Sequence, residues 1–397
     1  MTISPPANVK HVPIEESKVL CSGIDTLYLA INVKWINDQL FQYLEQYKNI
    51  AIDEEREATV ELKAKNDSCL FNIQPYGTQG YQWFLLGHDY ALKIGNWMKP
   101  KSRPSIMAEI RSETLWSEGP RKAVRQLLHL LKGSRAEIES VKPSRVDLCL
   151  DMIFPEELWK MELIDYRVTR ANYAAPHFFN STLTGISIGK GNLSARLYDK
   201  VLEINQKSKK TWMHEIWGMN LPPDGFKIIR VEFQIRREAI KELGLDTAAD
   251  LLHYSSNLWA YCTEKWLKFQ NNPGKHPNQR KTFDWWKIVQ KGYSNEQKAC
   301  PLVRIQACCA DIERLCGQIY GSSTSMLAVK LDSEGQDIET VNSEYLVEAF
   351  KDGLTNKAIT DAKLNQDVMK KRARYDRRKA KVRAAYRMRK ELGLPVV

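Results

Sequence analysis

Apolar and polar positions alternate with a period of two over short stretches of the first 236 residues, and the period lengthens to that of a helix afterwards. Residues 24–33 (IDTLYLAINV) read as a first strand and 36–48 as an amphipathic helix. Segments 69–74, 81–87 and 90–95, separated by turns at Gly77, Gly80 and Gly87, predict a meander. A strand over 105–113 and a helix over 119–132 follow, the helix carrying Val124, Leu127, Leu128 and Leu131 at helical spacing. Strands are predicted at 144–154, 183–188, 194–200 and 227–236, the middle two as a hairpin about Gly189-Lys190-Gly191-Asn192. Helices are expected at 237–243, 246–270, 283–290 and 301–320, then at 342–352 and 357–390. Strands joined by short turns imply an α+β fold with a largely antiparallel sheet, followed by a helical region and a basic C-terminal helix. No internal repeat is visible.

These elements divide into an unstructured N-terminus (1–21), a domain over 22–240, a helical extension (241–325), a linker (326–345) and a basic helical tail (346–397). Neither a GxGxxG nor a GxxxxGK[ST] segment is present, which removes nucleotide-loop enzymes.

Three strands carry polar groups on one face, where a core would place apolar ones. Asp147 and Asp151 lie four apart in Arg145-Val146-Asp147-Leu148-Cys149-Leu150-Asp151, so they point the same way. Arg196, Tyr198 and Lys200 alternate in Ala195-Arg196-Leu197-Tyr198-Asp199-Lys200, and Arg230 and Glu232 alternate in Arg230-Val231-Glu232-Phe233. Burying such groups unpaired is costly, so the pattern predicts a site. Asp147, Asp151 and Glu232 are hard oxygen donors suited to Mg²⁺ or Mn²⁺. Arg196, Lys200 and Arg230 suit a phosphate or a developing phenolate. Tyr198 could attack phosphorus once its proton is drawn off, leaving a 5′-phosphotyrosyl link and a free 3′ hydroxyl.

Charge adds a partner. The chain of 397 residues has a net charge of +11, and the stretch 368–390 accounts for all of it, with twelve cations against Asp376 alone. Lys370, Lys371, Arg372, Arg374, Arg377, Arg378, Lys379, Lys381 and Arg383 form its dense part, with Tyr375 and Tyr386 interleaved for base stacking. Such a segment is the footprint of a polyanion, with Lys190 in the hairpin turn a further contact. The eight cysteines make no CxxC pair, so reduced thiols in a cytoplasmic protein are expected. The first residues hold no apolar secretory core, and no membrane span is expected.

The segments SRVDLCLD (144–151), GISIGK (185–190) with ARLYDK (195–200), and RVEF (230–233) together resemble replication-initiation proteins of the Rep_trans type, the rolling-circle initiators of plasmids and filamentous phages and the relaxases of some conjugative elements. The resemblance covers about 22–270. It implies a DNA nickase and strand transferase whose nucleophile is the tyrosine of the R-x-Y-x-K segment, here Tyr198. It also implies a degenerate relaxase fold with acidic metal ligands in place of paired histidines, in keeping with the absence of His-x-His here. Origin DNA, single-stranded or extruded as a hairpin, would be the substrate, a host helicase the partner, and a homodimer a possible assembly. Two departures stand out: a long Trp-rich loop over 206–226, and the basic C-terminal helix. Two other classes stay open on the residues alone. One is a metal-dependent nuclease that activates water, with Tyr198 structural. The other is a DNA-binding regulator without chemistry.

Overall fold

The structure is a computed structural model and describes residues 18–65, 67–100, 102–271, 276, 279–293, 299–305, 312–335, 341–357 and 359–395. Most of the expected unstructured N-terminus, Cys308 and Cys309, and the middle of the expected linker lie outside these, as do the side chains of Arg374 and Arg378.

The strands in chain order are β1 (Lys18–Trp35), β2 (Ala58–Ala64), β3 (Asp67–Ile73), β4 (Trp83–Gly87), β5 (Tyr90–Ile94), β6 (Ile106–Ile110), β7 (Ala136–Pro155), β8 (Arg167–Thr169), β9 (Ala174–Phe179), β10 (Thr182–Ile188), β11 (Leu193–Asp199), β12 (Phe226–Arg236) and β13 (Leu267–Phe269). Eleven of them form one sheet, ordered β2-β3-β4-β5-β6-β1-β7-β12-β11-β10-β9. Every pairing in it is antiparallel.

This order holds a repetition that the sequence does not display. In each half a long strand lies at the centre, β1 in one and β7 in the other, and pairs with the other. Each half then continues in a meander that starts at a sheet edge and returns to that strand, through β2–β6 or β9–β12. The absence of a visible repeat is thus corrected at the level of topology.

One face of the sheet is the main core. Leu27, Leu29, Ile31 and Val33 alternate into it from β1 and are fully buried. The helix Pro120–Gly133 covers part of this face through Val124, Leu127 and Leu131, in the register its apolar spacing predicts. Helices Arg237–Glu242, Ala248–His253, Ser255–Tyr261 and Asp284–Lys291 belong to the same unit. Trp259 packs edge-on against Phe233 of β12, and Trp285 against Phe154 of β7. These tryptophans are therefore core, and the helical extension is no separate domain up to residue 303.

Two further expectations change. The helix expected over 246–270 breaks into two, ends in a π turn (Cys262–Trp266) and finishes in β13, which pairs with β8. Leu267 and Phe269 are buried with Lys268 between them, a period of two that stops the helix. Part of the expected linker is helical, because Ile312–Glu334 buries Leu327 and Leu331 at a spacing of four.

Residues 304–396 form a second compact unit. It holds the helices Ile312–Glu334, Ser343–Asn356 and Asp361–Glu391. The last of these is almost wholly exposed and carries no apolar stripe, although Arg389 is buried. Among the described residues no helix is long and apolar enough to cross a membrane.

Candidate active site

The second face of the sheet carries the polar residues. The register sets Tyr198 of β11 opposite Arg230 of β12, which lies opposite Asp151 of β7. The adjacent row is Arg196, Glu232 and Cys149. Asp147 is opposite Gln234, one step further along β12. All of these point to one face by strand periodicity. Opposite Tyr198 on β10 stands Gly185, where an added Cβ would meet the Tyr198 Cβ at 3.1 Å and the Leu197 carbonyl at 3.1 Å. The glycine leaves room for the tyrosine side chain.

The Tyr198 hydroxyl donates to Oε2 of Glu232 at 2.7 Å. Arg196 donates to the other oxygen of Glu232 and lies 4.0 Å from Asp147. Arg145 reaches Asp147 from the other side, with Nε 2.8 Å from Oδ1 and Nη2 on Oδ2. Asp147 and Glu232 are thus buried neighbours held between two guanidinium groups. The Arg196 side chain is 46% exposed, so it is the movable member of the set.

Burial pushes the Asp147 carboxyl up to about 6 against the pull of Arg145, and the Glu232 carboxylate adds to the rise. Burial, with the same glutamate beside it, also holds the Tyr198 phenol well above its ordinary value, opposed by Arg230. Tyr198 therefore keeps its proton until a partner takes it.

The remaining expected residues form a different cluster. Arg230 is fully buried and grips Asp151 with two donors at 2.6 and 2.7 Å. It also donates to Asp25 at 2.9 Å. Asp151 accepts from Trp217 Nε1 at 2.8 Å and lies 3.4 Å from the Cys21 thiol. Asp25 accepts from Ser112 at 2.9 Å and Trp116 at 3.2 Å, with Lys210 3.5 Å away. The expected phosphate contact at Arg230 and metal ligand at Asp151 are therefore revised: each is committed to a closed ion pair beneath the site. The pairing across β7 and β12 is the reason, because it seats these two opposite charges in one row.

Lys200 is also buried, 2.5 Å from Glu203. Burial and the neighbouring Arg230 lower its pKa, against the pull of Glu203. Its ammonium lies 5.6 Å from the Tyr198 ring centre, so it packs near that ring without an exposed face for phosphate. Asp199 ends β11 by capping the next turn, accepting from the Leu202 N–H at 3.0 Å.

The loop expected over 206–226 is the cover of this buried end. Met213–Trp217 is a short helix, and Ile204, Met213, Trp217 and Ile228 form a small apolar core above the Arg230–Asp151 pair. Asp25 is the member of this buried charge cluster that the sequence pattern missed. It falls in the β1 irregularity between Ile24 and Thr26, where the bulge turns an ordinary strand position toward Arg230. The available signal was the single carboxylate in that strand. Lys190 is exposed in the hairpin turn, its ammonium 3.7 Å from the Tyr173 ring centre.

Asp147 and Glu232 fit a small divalent cation by chemistry: two hard carboxylates on adjoining strands, which repel until a positive charge neutralises them. Arg196 supplies that charge here. Mg²⁺ commonly takes one or two carboxylates and completes its shell with water and phosphate oxygens. Among the described residues no group of three His, Cys, Asp or Glu side chains is poised to hold a metal.

No protein-family model matches the chain, and no curated protein matches it in sequence.

Proposed function

We propose that the chain is a rolling-circle DNA replication initiator that nicks and rejoins origin single-stranded DNA through Tyr198. The observation that carries this reading is the Tyr198–Glu232 hydrogen bond, on a sheet face where Asp147 and Arg196 adjoin it. A phenol with a raised pKa needs a base within hydrogen-bond reach, and Glu232 is that base.

In the proposed step the Tyr198 oxygen attacks phosphorus while its proton passes to Glu232. The phosphorus–O3′ bond breaks, and the 3′ oxygen leaves and takes a proton from solvent. The 5′ end stays on Tyr198 as a phosphodiester, so a 3′ hydroxyl can later reverse the step and rejoin the strand. Arg196 turns a donor from the carboxylates to the phosphate. Asp147 and Glu232 would hold Mg²⁺ or Mn²⁺, which when bound polarises the scissile phosphate. The basic helix Asp361–Glu391 would hold the DNA by its phosphates, with Lys370, Lys371, Arg372, Arg377, Lys379, Lys381 and Arg383 among its cations.

The test is transfer of a label. Single-stranded origin DNA incubated with the protein and Mn²⁺ is expected to leave an adduct that survives SDS, absent in Tyr198→Phe. The raised phenol pKa favours a second reading, in which activated water cleaves and Tyr198 only shapes the site. Cleavage without an adduct would select it. Binding without cleavage would select a regulator.

A further inference from the structure

The polar face does not end at Asp147. Arg145, which holds Asp147 on one side, stands opposite Tyr28 of β1, and its guanidinium carbon lies 5.5 Å from the Tyr28 ring centre. Tyr28 in turn stands opposite Glu109 of β6, on the same face of the sheet. Arg111 closes the cluster, 3.2 Å from Glu109. A second tyrosine–glutamate pair flanked by arginines thus sits on the other half of the sheet. It is joined to the first through the continuous line Tyr28, Arg145, Asp147, Arg196, Glu232, Tyr198.

The two clusters differ in exposure. The cover built from Met213 and Trp217 lies over the Arg230 end. At the Tyr28 end the side chains of Arg145, Arg111 and Glu109 are 29%, 35% and 26% exposed. Tyr28 is half-buried. A phenol ring beside a guanidinium, both open to solvent on one edge, offers a surface for a nucleobase, and the adjacent arginine donors suit a phosphodiester.

We infer that Tyr28, Arg145 and Arg111 form a nucleotide subsite that seats the single strand at a distance from the scissile phosphate, with a base on the Tyr28 ring and a phosphate on the two arginines. The inference takes its substrate class from the proposed nicking of single-stranded DNA. Six residues of β7 separate the Arg230 row from the Arg145 row, which is about 20 Å at ~3.3 Å per residue. A strand attacked at Tyr198 would run several nucleotides along the sheet to reach Tyr28. Glu109 and Asp147 keep the two arginines in place while the site is empty, and both pairings can yield to a phosphate.

The experiment uses the full chain and oligothymidylates carrying 5-iodouracil at successive positions. Irradiation is expected to crosslink one position to the peptide containing Tyr28, mapped by mass spectrometry. Tyr28→Ala and Arg145→Gln are each expected to weaken oligothymidylate binding about tenfold. Tyr28→Trp, which keeps a stacking ring, is expected to restore binding. If no position crosslinks at Tyr28 in the wild-type chain, the subsite is overturned, whether or not the variants fold. It is also overturned if folded Tyr28→Ala binds as wild type does. A Tyr28 crosslink in a protein that never forms the Tyr198 adduct would sink the nicking chemistry and leave the subsite standing. An adduct on Tyr198 without the crosslink would do the reverse.

Discussion

Tyr198 and Glu232 sit on neighbouring antiparallel strands, two residues apart in register, and meet at 2.7 Å through the phenol proton. Glu232 is buried and receives Arg196 on its other oxygen, which fixes the carboxyl's orientation toward the phenol. Replacing it by glutamine keeps the shape and removes the proposed base. Glu232→Gln is expected to slow adduct formation by about 10²–10⁴-fold while single-stranded DNA binding persists. Single-turnover cleavage and filter binding on the same preparation check both halves.

Asp147 differs in what its loss should do. It lies 4.0 Å from Arg196, the guanidinium it shares with Glu232. Asp147→Asn is expected to raise the Mn²⁺ concentration needed for half-maximal cleavage, with less effect on the rate at saturating metal. A metal titration of the cleavage rate reads the difference. Chelation by EDTA is expected to stop cleavage in both proteins.

The pair Arg230–Asp25 makes a stability prediction. Burial alone would raise the Asp25 pKa, but Arg230 and Lys210 outweigh it and hold the carboxyl well below its ordinary value. A carboxyl depressed in the fold stabilises at pH above its unfolded value, about 3.9, and that contribution fades as pH falls below it. Melting temperature is therefore expected to drop on acidification through about pH 4, and to drop less steeply in Asp25→Asn. At neutral pH the variant is expected to be less stable by about 3–5 kcal/mol, because a buried guanidinium loses a partner. Denaturant midpoints across the pH range test both statements.

Gly185 faces Tyr198, and a Cβ added there would lie 3.1 Å from both the Tyr198 Cβ and the Leu197 carbonyl, so a branched side chain would have to push them aside. Gly185→Val is expected to displace the ring, costing about 1–3 kcal/mol of stability and most of the adduct yield. Melting and label transfer separate the two effects.

The basic helix predicts a salt dependence. Replacing Lys370, Lys371 and Arg372 with glutamine removes three exposed cations from the helix Asp361–Glu391. The logarithmic salt slope of single-stranded DNA binding is expected to flatten by about 2. An unchanged slope would place the phosphate contacts elsewhere.

Much of this site was legible from alternation. Arg196, Tyr198 and Glu232 share a face because strand residues two apart do, and the turns between short strands announced an antiparallel sheet. Pairing partners were not legible. Nearness to Pro155 ranks Asp151 below Asp147 as a ligand, but the reason lies in the pairing: Asp151 stands opposite Arg230 and Asp147 opposite Gln234, so only Asp147 is left to Glu232. Asp25 was hidden because a bulge, which no spacing in 24–33 reveals, turns it to Arg230. The Trp-rich loop read as a departure from a pattern, whereas Met213 and Trp217 make it the cover of the buried charges. The topological repetition was invisible because matching strands share little sequence: β6 (IMAEI) and β12 (FKIIRVEFQIR) occupy the same place in their halves and differ in length and in most residues.

The central claim is that a phosphodiester passes to one named oxygen. Protein incubated with single-stranded origin DNA and Mn²⁺, digested with nuclease and trypsin and weighed by mass spectrometry, is predicted to carry a nucleotide phosphate on Tyr198. A cleaved strand together with an unmodified Tyr198 peptide would contradict the account.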